Sequence, residues 1–221
     1  LCDDFACEAG IRFVESSGHV AAGLILRGSG EQDFVYVLVS NQGHIRMDAV
    51  FNGEPRTVVP WTELPSPAAS AFELRLSARG SVWTAFVDGA WAFEAEDDTA
   101  KAGWIAFAAQ QYGDAAPSRF ALERLVLETR PGEVEVAHYS WLNAMPPESG
   151  QRLRLVRSFH ATGSWLAGAV QLKRAERQAP LDAEGQFLRA EGAIHMELWD
   201  EAEAALSACL ALDPNREDAR E

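Results

Sequence analysis

The dipeptide Asp88-Gly89, set between the alternating runs 82–87 and 91–93, constrains this chain more than any other feature in it. A two-residue type I′ turn needs positive φ at both central positions, and Asp-Gly between apolar alternations is a strong hairpin signal. Upstream, Leu74 and Leu76 alternate with Arg75 and Ser77 before Arg79-Gly80 turns the chain. Downstream, a polar loop leads into Gly103-Trp104-Ile105-Ala106-Phe107. Residues 72–110 therefore read as an antiparallel meander that includes this last strand.

The pattern extends towards the N-terminus. Strands are expected at 11–15, 20–27, 33–40, 44–51 and 56–61, with Asn52-Gly53 as a second tight turn. In 33–40, Phe34, Tyr36 and Leu38 alternate with Val35, Val37 and Val39, so both faces are apolar. Such a strand belongs in the middle of a sheet with cover on each side. Residues 119–128 give the last strand, although their pattern also fits a short helix. Some ten strands with frequent turns predict a sandwich or jelly roll over residues 1–129.

After Glu128 the period changes. Pro146, Pro180 and Pro214 lie 34 residues apart, as do Trp165 and Trp199, Gly168 and Ala202, and Leu172 and Leu206. A fixed period of this length marks stacked helical hairpins. The expected layout is a linker or docking helix over 130–148 and two hairpins over 149–221. Small residues at 168 and 202 allow close helix approach, Trp165 and Trp199 are expected in the core, and proline ends each second helix. The first helix of the second hairpin departs from the pattern, because Arg189 stands where leucine is preferred. Two repeats are few for a stable array, and the charged run NREDARE suggests continuation beyond Glu221.

Composition narrows the partners. The formal charge is −14, with 18 acids against 10 bases in residues 1–130 and 15 against 9 in 131–221. Neither part offers the basic face that phosphate neutralisation needs, which argues against nucleic acid and anionic membrane. No apolar run approaches the length needed to span a bilayer. Cys2, Cys7 and Cys209 form no C-x-x-C pair; Cys2 and Cys7 lie five positions apart, which permits a disulfide without specifying one. The start at Leu1 reads as a trimmed product, so the compartment stays open. Two lysines against seventeen arginines fit a GC-rich bacterial genome.

The series GLILR, DFVYVLVS, NQGHIRM, WTELP, FELRLSARGSVWTAFVDGAW and GWIAFAA resembles the concanavalin A-like (laminin G-like) jelly-roll superfamily over residues 5–129. It is most similar to the bacterial branch that holds the 3-keto-disaccharide-hydrolase-like domains. The 34-residue repeat resembles the tetratricopeptide repeat, most closely in LWDEAEAALSACLALDPN. The fold class expected is thus a mixed two-domain chain: an antiparallel concanavalin-like β-sandwich followed by a tetratricopeptide-like helical array. The resemblance implies glycan recognition on the concave face of the sandwich and protein contacts through the helices.

The chemistry agrees with a binding module. Sugars stack on aromatic faces and take hydrogen bonds from planar side chains, and Tyr36, Arg46, Trp61, Arg75, Trp83 and Trp91 are the candidates. Core packing is the competing account of the tryptophans. Arg27 is a candidate structural arginine for Asp33 or Asp48. Glu94, Glu96 and Asp98 alternate as a glycosidase pair would, but they run into the polar loop DDTAKAG and read better as a solvated surface. The five histidines form no metal-binding pair, and Asp97-Asp98 alone is a thin calcium site. No phosphate loop, dinucleotide motif or nucleophile elbow occurs. No cofactor and no catalytic residue are expected. The rival readings are a glycoside hydrolase-like enzyme and a structural or sensor segment of a larger multidomain bacterial protein.

Overall fold

The computed structural model describes residues 3–66, 70–114, 116–129 and 149–220. The chain divides into two compact units, Leu1–Met145 and Pro146–Glu221. The expected docking helix over 130–148 and Cys2 lie outside the described residues.

The first unit is a β-sandwich. Its strands are β1 (Phe5–Glu15), β2 (His19–Gly28), β3 (Phe34–Ser40), β4 (His44–Phe51), β5 (Glu54–Glu63), β6 (Ala71–Arg79), β7 (Val82–Val87), β8 (Ala90–Glu96), β9 (Trp104–Tyr112) and β10 (Arg119–Thr129). They form two antiparallel five-stranded sheets, ordered β10-β1-β6-β7-β8 and β5-β4-β3-β2-β9. Residues 119–128 are strand, because β10 pairs with β1 along its length. The two Xaa-Gly hairpins form as expected, with φ of 50° and 78° at Asp88-Gly89 and 53° and 79° at Asn52-Gly53.

One strand departs from expectation. β6, β7 and β8 make a meander, but β9 leaves it and pairs with β2 in the opposite sheet. Side chains around the preceding loop fix that crossing. Trp83 Nε1 donates to the Asp97 carbonyl at 3.1 Å, and Arg27 Nη1 donates to the Ala100 carbonyl at 3.1 Å.

Alternation decides what each strand buries. Val35, Val37 and Val39 of β3 face the core with Leu24 and Leu26 of β2 and Ile45 and Met47 of β4. From the other sheet come Phe5, Ile11, Leu74, Trp83 and Phe93. Arg27 is also buried, at 1% exposure. Its guanidinium lies 4.8 Å over the Trp83 ring and donates to the carbonyls of Asp3 and Gly80 as well as Ala100. It is structural, as expected, but its partners are these carbonyls and the Asp4 carboxylate at 3.7 Å rather than Asp33 or Asp48. Burial pulls its pKa down, against the pull of Asp4, Asp3 and Asp97.

The second unit holds α1 (Ser149–Ala161), α2 (Trp165–Glu176), α3 (Ala183–His195), α4 (Trp199–Leu212) and a short 3-10 turn, Glu217–Ala219. None of the described helices is long and apolar enough to cross a membrane. Gly163, at φ 72°, turns α1 into α2. Asp182 caps α3, its side chain accepting from the Gly185 amide at 2.8 Å. Leu153, Val156, Leu172, Ala175, Leu181 and Leu188 make the core. Gly168 is needed where α2 meets α1, since a Cβ there would lie 2.6 Å from His160 Nε2. The two repeat tryptophans differ in environment. Trp165 stacks on His195 at 3.8 Å and 6°, whereas Trp199, expected in the core, is 64% exposed. No described ring covers Trp199 as His195 covers its counterpart.

Candidate functional site

The outer face of the sheet β5-β4-β3-β2-β9 gathers the first unit's aromatic and polar side chains. The inward set is apolar, so strict alternation sends Tyr36 of β3, Arg46 and Asp48 of β4, and His19 of β2 to the other side. β9 adds Tyr112, directly opposite His19, and β5 adds Trp61. His19 stacks on Tyr112 at 4.5 Å and 21°, and Trp61 meets Tyr112 edge-on at 6.1 Å. His19 and Trp61 approach to 5.8 Å although β3 and β4 separate their strands. Three strand spacings are about 14 Å, so rings meeting across them require the sheet to curl inward. The face is concave at this end.

Beside the rings sits a fixed charge pair. Arg46 donates to both carboxylate oxygens of Asp48, at 2.5 and 2.8 Å, and to Thr57 Oγ1 at 2.9 Å. Its guanidinium lies 5.9 Å from the Trp61 ring. The Asp48 side chain is fully buried and that of Arg46 is 29% exposed, so the arginine covers the acid and keeps one edge open. The hydrogen bond to Asp48 raises the Arg46 pKa. Burial, and then a hydrogen bond to Asp48, push the Tyr36 hydroxyl well above its ordinary value. Burial likewise raises Tyr112, although Arg46 pulls it down. Both phenols therefore stay protonated, Tyr36 donating to Asp48 and Tyr112 to Gln110 Oε1 at 2.9 Å.

Three of the six expected residues, Tyr36, Arg46 and Trp61, thus come together. The other three belong to the opposite sheet. Trp83 and Trp91 are buried, at 1% and 7% exposure, which is the core account of these residues. Arg75 lies on the other sheet's outer face, paired with Glu8 at 3.2 Å and Glu73 at 2.5 Å. His19, Asp48 and Tyr112 join the cluster without having been candidates for it. Parity within β2 and β9 assigns His19 and Tyr112 a face, but only the β2–β9 pairing makes them neighbours.

The alternating acids are elsewhere. Glu94 and Glu96 lie on β8, pairing with Thr84 and Val82, and Glu96 is exposed. Asp97 is buried and taken by Arg56 Nη2 and by Thr99, whose amide and hydroxyl donate to it at 3.0 and 3.1 Å. Among the described residues, no three His, Cys, Asp or Glu side chains gather as metal ligands would.

Comparison with known proteins adds one relative in sequence. No family model matches the chain. A TPR repeat-containing protein of Treponema pallidum (strain Nichols) is 35% identical over 205 residues, which is 91% of this chain and 25% of that protein. The chain spans about a quarter of the length of the curated relative it matches, and the matched stretch runs through both units. Three solved structures each cover about three fifths of this chain. The carbohydrate binding module CBM66 from Bacillus subtilis has a TM-score of 0.47 at 17% identity, over 57% of this chain and 76% of that one. Sheep galectin-11 has a TM-score of 0.43 at 10% identity, over 58% and 92%. The CBM40 of Ruminococcus gnavus IT-sialidase, bound to α2,3 sialyllactose, has 0.41 at 13%, over 62% and 82%. Likeness at this level is no basis for assigning a ligand.

Proposed function

We propose that this chain is a non-catalytic, two-part binding and adaptor module, with a concanavalin-like sandwich that takes a saccharide and tetratricopeptide-like hairpins that engage a protein. The observation that carries the saccharide half is the ring cluster His19–Tyr112–Trp61 set beside the Arg46–Asp48 pair on a concave face. Half-buried rings offer flat surfaces for sugar C–H groups, the open Arg46 edge offers an oriented donor, and the Tyr36 oxygen, whose proton goes to Asp48, offers an acceptor. Asp48 is engaged by Arg46 through both oxygens, which suits a carboxylate that positions a donor rather than one that moves a proton. The protein-binding half is supported by the 34-residue helical period and by the relative's description as a TPR repeat-containing protein.

A glycan-array screen tests the first half. The intact chain is compared with Trp61→Ala and Tyr112→Ala variants, each shown to melt as the parent does. Binding that both variants lose supports the reading; no binding by the intact chain, or binding that both variants keep, removes the sandwich face as a saccharide site.

A further inference from the structure

The helical unit contains a groove of about 540 Å³ between α2 and α4, floored by α3. It exists because of what α3 lacks. Gln186, Arg189 and Ala193 fall at i, i+3 and i+7 on the stripe that floors it, where a core-facing helix carries its large apolar side chains. An amide, a guanidinium and a methyl leave the space open. Arg189 spends its charge on Glu176 of α2 at 2.5 Å instead of packing. The α4 wall is equally thin, presenting Ala204, Ala205 and Ala208, while Leu166 on the α2 rim is 72% exposed. Deep at one end, His160 is 6% exposed; its Nδ1 meets Glu191 at 2.7 Å, and its Nε2 has no hydrogen-bond partner.

The rims are charged with opposite signs at opposite ends. Short turns reverse each successive helix, so α2 and α4 run the same way and their first turns share one end. That end carries Glu197 and the groove-lining Glu201 beside Leu198. The other end carries Lys173 in the groove and Arg177 just beyond it. We infer that the groove docks an amphipathic helix of a partner protein, with large aliphatic side chains on one face, basic residues at one end and acidic residues at the other. The aliphatic side chains fill the space that the α3 stripe leaves, and the two ends are set by Glu197 and Glu201 and by Lys173 and Arg177. This rests on the protein-binding reading of the hairpins and adds to it a face and a partner chemistry.

The test uses the whole chain and a labelled synthetic helical peptide with leucines at i, i+3, i+4 and i+7, lysines at one end and glutamates at the other. Anisotropy is expected to report binding at least tenfold tighter than for counterparts with lysine at both ends or glutamate at both ends. Filling the stripe with Gln186→Leu, Arg189→Leu and Ala193→Tyr is expected to raise the melting temperature and abolish binding. Should that triple variant fail to fold, Ala204→Arg on the exposed wall is expected to weaken binding at least tenfold. No binding by the parent chain, equal binding of all three peptides, or binding that survives these variants overturns the groove. Phe187→Ala, on the side of α3 beneath Arg216, is expected to leave binding unchanged. Binding lost there but kept by the groove variants overturns the groove while leaving the protein-binding reading intact.

Discussion

The two sheets of the sandwich share a core but present different outer faces. On β5-β4-β3-β2-β9 the rings of His19, Trp61 and Tyr112 close over one bidentate pair, Arg46–Asp48. On β10-β1-β6-β7-β8 arginines and acids pair with one another: Arg75 with Glu8 and Glu73, Arg124 with Glu8, Arg12 with Glu123. Both faces hold arginine held by acid, so residue type does not separate them. What separates them is whether the acid is buried: the Asp48 side chain is fully buried, whereas those of Glu8 and Glu73 are 24% and 33% exposed. The ring-lined face sets its one arginine over a fully buried acid, and the other face holds its arginines among partly exposed acids.

The comparison breaks if the tryptophans of the two sheets behave alike. Trp83→Ala removes a fully buried ring and the platform under Arg27, and it is expected to destabilise the chain by about 3–5 kcal/mol in chemical denaturation. Trp61→Ala, half-buried on the outer face, is expected to stay within about 1 kcal/mol of the parent while removing saccharide binding. Equal losses would place Trp61 in the core.

The arginines sharpen it further. Arg46→Ala strands the fully buried Asp48 carboxylate, a loss expected at about 2–3 kcal/mol. Arg75→Ala removes an ion pair from a partly exposed network and is expected to cost at most about 1 kcal/mol. Denaturation midpoints of the two variants give the ordering directly. At alkaline pH, Tyr36→Phe is expected to delete a phenol that ionises well above pH 10, seen as the late part of the near-ultraviolet titration. A phenol that titrates at its ordinary value would contradict the hydrogen bond to Asp48.

The smallest effect lies in the helical unit. Burial pushes Glu184 up, but its hydrogen bonds to Arg216 and Arg157 prevail and hold its pKa below the ordinary glutamate range. A depressed folded pKa contributes stability that is present at neutral pH and fades as pH falls through that value. The melting-temperature gap between the parent and Glu184→Gln is therefore expected to be largest near pH 7 and to close in acid. A gap that widens in acid would reverse the sign of the linkage.

Much of this architecture is legible in the chain because it is local. Asp88-Gly89 and Asn52-Gly53 dictate their hairpins through φ, and the Val35, Val37, Val39 alternation marks a central strand. The 34-residue spacing marks the helical hairpins in the same way. The site was half legible. Tyr36, Arg46 and Trp61 sit on an outward parity with chemistry suited to binding, whereas Trp83 and Trp91 carry the same chemistry on strands of the same kind. Nothing within β7 or β8 says that their tryptophans are buried, since strand alternation gives two faces without saying which one is covered.

The sequence by itself therefore determined where the strands and helices begin and turn, because φ preferences and side-chain period act between neighbours. The tertiary structure alone decided which face became a site. Long-range pairing carried β9 out of the meander to β2, set Tyr112 against His19, and curled the sheet until Trp61 reached them across two strands. It also decided that Gln186, Arg189 and Ala193 together floor a groove rather than merely weaken a helix. Packing around a side chain, and not its own identity, determines whether the space beside it is filled.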